Sequence, residues 1–101
     1  LQYNEIPRFP AVERDLALVV QQQVSYERIE TAIQQLKLRK LQQIALFDVF
    51  ESEKIGAGRK SMALNFRFQD PEKTLTDVET DKMMQQIMQQ LEQQVGAEIR
   101  R

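Results

Sequence analysis

Residues 61 to 68, SMALNFRF, alternate without a break: Met62, Leu64, Phe66 and Phe68 form one set, and Ser61, Ala63, Asn65 and Arg67 the other. A β-strand turns successive side chains to opposite faces, so this stretch predicts a strand with one buried face and one face free of large apolar groups. Such a strand belongs in a sheet that is covered on one side only. Two further stretches supply neighbours. ERDLALVV, residues 13 to 20, sets Leu16, Leu18 and Val20 against Asp15, Ala17 and Val19. LQQIALFDVFES, residues 41 to 52, sets Phe47 and Val49 against Asp48 and Phe50. The glycine-bearing EKIGAGRK, residues 53 to 60, joins this second strand to the third and predicts a hairpin.

The intervening segments change period. After the polar QQQV, Ser25 stands as an N-cap, and Ile29, Ala32, Ile33 and Leu36 recur at helical spacing to about residue 37. Thr76 and Glu79 have capping-box spacing ahead of an apolar stripe of Met84, Ile87, Met88, Leu91 and Val95, with Gly96 as the stop. The glutamines of that helix, Gln85, Gln86, Gln89, Gln90, Gln93 and Gln94, read as its solvent face. AEIR, residues 97 to 100, closes the chain as a short strand. The order β-α-β-β-α-β is that of an α+β, ferredoxin-like sandwich, in which two helices pack on one face of an antiparallel sheet. One domain is expected over residues 1–101, with residues 1–10 a linker or lead-in.

Parity then assigns the faces. Leu16, Leu18, Phe47, Val49, Met62, Leu64, Phe66 and Ile99 share the helix-covered side. Asp15, Ala17, Asp48, Phe50, Ser61, Ala63, Asn65, Arg67, Glu98 and Arg100 share the open side. An aromatic ring among small and hydrogen-bonding residues suits a flat ligand such as a base, and equally a protein-docking face. Alternative readings of single residues stay open on pattern alone. Asp48 also reads as a solvated carboxylate or a cross-strand partner of Arg67 or Arg100, and a one-residue slip would exchange the faces and bury Phe50. Arg14 and Asp15 read as structural or interdomain charges.

The inventory narrows function. The 101 residues contain no Cys and no His, which removes thiolate catalysis, histidine general bases and the common zinc sites. Fourteen Lys and Arg against fifteen Asp and Glu leave a net charge of -1, so any nucleic-acid binding is local and weak in isolation. There is no run long and apolar enough for a membrane span and no signal-peptide pattern at the start, so a soluble chain is expected. It begins with Leu and is expected to be a piece of something larger.

FPAVERDLALVV, LFDVFES, IGAGRKSMALNFRFQDPEKTLTDVE and GAEIR, in this order and spacing, resemble the C-terminal ferredoxin-fold anticodon-binding domain of the bacterial phenylalanyl-tRNA synthetase beta chain, over roughly residues 8 to 100. The resemblance implies a module without chemistry of its own and without a cofactor or metal. It implies a cytoplasmic α2β2 ligase as parent, in which ATP and magnesium act elsewhere, and the anticodon stem-loop of phenylalanine tRNA as partner, alongside the rest of the beta chain and the alpha chain. By the same resemblance Asp48, Phe50, Ser61, Arg100 and Ala17 face the anticodon. Phe50 stands where the family often has Tyr, so stacking is kept and a phenolic hydrogen bond is lost. Arg59, Lys60, Arg39 and Lys40, with Lys37, are candidate contacts to the RNA backbone, or simply a solvated charge run.

Three competing functions fit less well. A small-molecule regulatory module of this topology would have a glycine turn between first strand and first helix, where this chain has QQQVS. A general RNA-recognition motif would show paired aromatics on the open side of its third strand, whereas Phe66 and Phe68 are turned inward here. A stand-alone enzyme lacks the usual acid-base and nucleophilic groups. A module docking a metabolite or a partner protein is the alternative reading.

Overall fold

The computed structural model describes residues 9–51 and 56–100. Its elements follow the expected order: β1 (Val12–Gln21), α1 (Tyr26–Gln34), β2 (Leu41–Phe50), β3 (Arg59–Phe68), α2 (Asp77–Val95) and β4 (Glu98–Arg100). The four strands make one antiparallel sheet in the order β2-β3-β1-β4, a ferredoxin-like α+β arrangement. The expected lead-in lies outside the described residues except for Phe9 and Pro10, and of the hairpin turn only residues 56 to 60 are described.

β3 and β1 pair over ten residues without irregularity, from Val12 opposite Phe68 to Gln21 opposite Arg59. The regular pairing matches like with like: Leu16, Leu18 and Val20 of β1 lie opposite Leu64, Met62 and the stem of Lys60 on the helix side, while Ala17 and Val19 lie opposite Ala63 and Ser61 on the other. Leu16, Leu18 and Val20 of β1 and Met62, Leu64, Phe66 and Phe68 of β3 are buried beneath Ile29 and Ile33 of α1 and Met84, Ile87 and Leu91 of α2. Burying each large side chain of this kind is worth roughly 1.5–3 kcal/mol.

The helices begin and end where local chemistry dictates. The Ser25 hydroxyl accepts from the Arg28 N–H at 3.2 Å. α1 ends at Gln34, short of residue 37, and Lys37 takes a left-handed φ of 54° that no helix continues. At α2, Thr76 accepts from the Glu79 N–H at 3.2 Å while the Glu79 carboxylate accepts from the Thr76 N–H at 3.3 Å, a complete capping box. Gly96, at φ 67°, terminates α2 and lets the Ala97 N–H return to the Leu91 carbonyl at 3.2 Å. Gln90 is not a solvent-face residue: it is half-buried, and its amide donates to the Ala32 carbonyl at 3.0 Å and to the Gln35 amide oxygen at 3.3 Å, tying the helices together. Among the described residues no helix is long and apolar enough to cross a membrane.

β2 departs from simple alternation. Leu46 lies opposite Leu64 and Asp48 opposite Ala63, so β2 uses two residues where β3 uses one; a second shift falls between Leu41 and Gln43. Phe47 is therefore the extra residue of a bulge rather than a covered core residue, and it is 59% exposed. Val49 does lie opposite the inward Met62, yet it is 45% exposed. The reason is length: nine residues of α1 run about 14 Å, whereas ten residues of β2 run about 34 Å. The Tyr26 hydroxyl, donating to the Ile44 carbonyl at 3.2 Å, fastens α1 to β2 at Ile44. Burial, then the neighbouring Glu30, pushes the Tyr26 phenol up to about 12, so it stays a donor throughout the neutral range. Past Ile44 the helix side of β2 is increasingly uncovered, with Leu46 36% and Val49 45% exposed.

Candidate nucleic-acid interface

The open face is read most directly in rows across the sheet. One row runs Asp48, Ala63, Ala17, Arg100. The next runs Phe50, Ser61, Val19, Glu98. On the other side of the alanine row stand Ala45, Asn65 and Asp15, then Gln43, Arg67 and Glu13. All the residues that parity assigned to this face lie on it.

The alanine row is the geometry that matters. Asp48 and Arg100 lie on the two edge strands, and at about 4.8 Å per strand their backbones are about 14 Å apart. Between them Ala63 and Ala17 present only methyl groups, which leaves a shallow trough with a carboxylate at one wall and a guanidinium at the other. Phe50, 49% exposed, is two residues beyond Asp48 on the same face, about 7 Å along β2. A flat group whose polar edge meets Asp48 can therefore lay its ring on Phe50.

Ser61 and Val19 differ from this pattern, since each is only 2% exposed although both stand on the open side. Across Val19 the Arg59 guanidinium of β3 reaches the Glu98 carboxylate of β4 at 2.5 Å, passing over β1. The strap thus spans the strand that carries Val19. Ser61 stands between Phe50 and Val19 in its row and is buried, so it meets an incoming base only if a neighbour moves.

The candidate backbone contacts divide. Arg59 is engaged in the strap. Lys60 lies opposite the inward-facing Val20, on the helix side of the sheet, not the open side. Lys40 is held by Asp70 at 3.3 Å and Glu79 at 3.6 Å. Arg39 and Lys37 are exposed, but they precede the Leu41 end of β2, about 17 Å along the sheet from the alanine row. Arg14 and Asp15 serve the fold: Arg14 meets Asp77 at 3.1 Å, and Asp15 accepts from the Asn65 amide at 2.8 Å.

The strongest electrostatics lie at that far end. Lys73, 2.8 Å from Glu79, together with the Thr76 N–H and hydroxyl, holds the Glu79 carboxyl down to about 2. The Glu72 N–H, donating to Asp70 at 2.8 Å, and then Lys40 hold Asp70 below its ordinary value. Both carboxylates organise the start of α2, well away from the trough.

Sequence reasoning put Ala63 on the open side without counting it among the site residues; its place as half of the trough floor follows from its pairing with both Ala17 and Asp48. It missed the Arg59–Glu98 strap, which depends on strand order and has no local signal.

Four antiparallel strands in the order β2-β3-β1-β4, with both helices on one side and the other side open, place the chain in the ferredoxin-like α+β class. A family model described as the ferredoxin-fold anticodon binding domain matches residues 7–100, and the chain belongs to that family. Among its relatives is the phenylalanine-tRNA ligase beta subunit of Streptococcus pyogenes serotype M3, 47% identical over 98 residues, covering 97% of this chain and 12% of the relative. The protein of the same name from Streptococcus pneumoniae is equally similar over the same shares of both chains. That from Streptococcus mutans is 44% identical over 100 residues, or 99% of this chain and 12% of the relative. The chain thus spans about an eighth of the length of the curated relatives it matches.

Proposed function

We propose that this chain folds as one unit and binds the anticodon stem-loop of phenylalanine tRNA on its open sheet face. The carrying observation is the alanine-floored row closed by Asp48 and Arg100, with Phe50 beside it. The phenylalanine anticodon begins with guanine, whose Watson–Crick edge offers two adjacent donors, and an ionised carboxylate is an acceptor-only group suited to both. Adenine would turn an acceptor nitrogen on Asp48, so discrimination includes repulsion as well as attraction. Phe50 stacks the splayed base, Ala17 and Ala63 let it lie close, and Arg100 meets a phosphate or a second ring. Ser61 reaches the base or sugar when its cover moves. Arg39 and Lys37 serve the stem backbone at most peripherally.

The parent we infer is the beta chain of a cytoplasmic α2β2 ligase that joins phenylalanine to its tRNA with ATP and magnesium. This module supplies no chemistry and no cofactor, and its partners are the tRNA and the remaining beta and alpha chains. With a net charge of -1, the isolated chain binds at about micromolar affinity or weaker. Docking on tRNA held elsewhere by the enzyme raises its effective concentration.

The test is a titration of the phenylalanine anticodon stem-loop into isotopically labelled chain at low salt, with an adenine-first loop as control. Amide shifts centred on Ala17, Asp48, Phe50, Ser61 and Arg100 that shrink with adenine support the reading. Shifts confined to Lys and Arg residues and indifferent to sequence would overturn it.

A further inference from the structure

Phe47 is the one large apolar residue of the sheet that neither the ladder nor the core requires. Without it, Leu46 facing inward and Asp48 facing outward would follow in ordinary alternation, as Ile44 and Ala45 already do. The strand instead carries an additional residue, absorbs it as a bulge, and leaves an aromatic ring 59% in water. A bulge re-aims a side chain, and this one sits on an edge strand with no further strand outside it. The two irregularities of β2 also blunt that edge against pairing with a foreign strand. What remains accessible at the rim is a ring next to Asp48, three residues from the exposed ring of Phe50. Single-strand binders use successive aromatics to hold successive bases, because stacking on a π-face tolerates any base.

We propose that Phe47 is a second stacking ring, which takes the base neighbouring the guanine received by Asp48 and Phe50. The inference rests on the anticodon-binding reading of the open face. Phe47 contributes affinity without sequence preference, and Asp48 contributes the preference.

The experiment compares wild type, Phe47→Ala, Phe47→Leu, Phe47→Trp, Asp48→Asn and Phe50→Ala by affinity for the phenylalanine anticodon stem-loop at low salt. Each is also measured on two loops, one abasic immediately before the first anticodon base and the other immediately after it. Phe47→Ala is expected to weaken binding roughly 5- to 150-fold, Phe47→Leu nearly as much, and Phe47→Trp hardly at all. On one of the two abasic loops Phe47→Ala should make no further difference, since the base it stacks is already gone. If Phe47→Ala binds every loop like wild type while Asp48→Asn and Phe50→Ala weaken it, Phe47 is no stacking residue and the open-face reading stands. Equal weakening by Phe47→Ala on all three loops also overturns the inference, because it shows an effect exerted through the strand. If none of the substitutions alters binding, this inference and the open-face reading fall together.

Discussion

Asp48 and Arg100 close the two ends of a single row across the sheet, separated by the methyl groups of Ala63 and Ala17. Neither residue reaches the other, so each presents its charge outward to whatever enters between them. Asp48→Asn replaces an acceptor-only group by one that also donates, which removes the repulsion of adenine together with half the attraction for guanine. We expect about 1–3 kcal/mol of lost guanine-over-adenine preference, in keeping with a good paired contact to a base edge. Binding constants for the two stem-loops, measured with wild type and variant, give this difference directly.

Phe50→Ala and Phe66→Ala should part company. Phe66 is fully buried, its ring 6.5 Å from that of Phe68, and truncation leaves a cavity under both helices. A loss of about 3–5 kcal/mol in denaturant unfolding is expected. Phe50 is half in water, and its truncation should change stability by less than about 1 kcal/mol while weakening RNA binding severalfold. Equal destabilisation by both would place Phe50 in the core.

Gly96→Ala tests the end of α2 in isolation. An added methyl meets no atom within 4 Å, so the whole cost is that of holding a non-glycine residue at φ 67°. That cost is about 1–2 kcal/mol, read as a lower unfolding midpoint with no change in RNA affinity. Thr76→Ala, at the other end of the helix, should cost a comparable 0.5–2 kcal/mol, typically about 1, through loss of the N-cap.

Glu79 sets part of the acid limit of the fold. Its carboxyl lies at about 2 in the folded chain against an ordinary 4.5, so between these values the unfolded chain binds the proton and the folded chain does not. Its stabilising contribution is complete above about pH 4.5 and disappears as pH falls through about 2; Asp70, also lowered, acts in the same direction. The thermal midpoint of Glu79→Gln should accordingly fall less steeply than that of wild type as pH is lowered from 4.5 to 2. Parallel curves would show that the capping box and Lys73 do not hold the carboxylate in solution.

Much of this was legible from local rules, and the exceptions were non-local. The caps at Ser25, Thr76 and Gly96 depend on residues within four positions, and all three form. The faces of β1 and β3 follow from period 2 because nothing interrupts it. Phe47 was misassigned because a bulge is a property of two strands: LFDVF looks regular until Leu46 and Asp48 are matched to Leu64 and Ala63. Val49 failed for a different reason, since its side of the sheet was correct and the helix above it was too short. Of the site candidates, Asp48, Phe50, Ala17 and Arg100 converge in adjacent rows. Lys60 went to the other face, and Lys40 to an ion-pair network, by strand pairing and tertiary proximity that composition does not contain.

The Arg59–Glu98 strap bears on how salt will act. β4 has three residues, ends in Arg100, and is tied to β3 from the open side by one partly exposed ion pair. Such pairs contribute little and are screened within about 8 Å at physiological ionic strength. Rising salt therefore releases counterion-driven contacts to phosphate and at the same time loosens the wall that carries Arg100. The slope of log affinity against log salt will then overcount the phosphates this face touches, by the share that belongs to the protein's own ion pair.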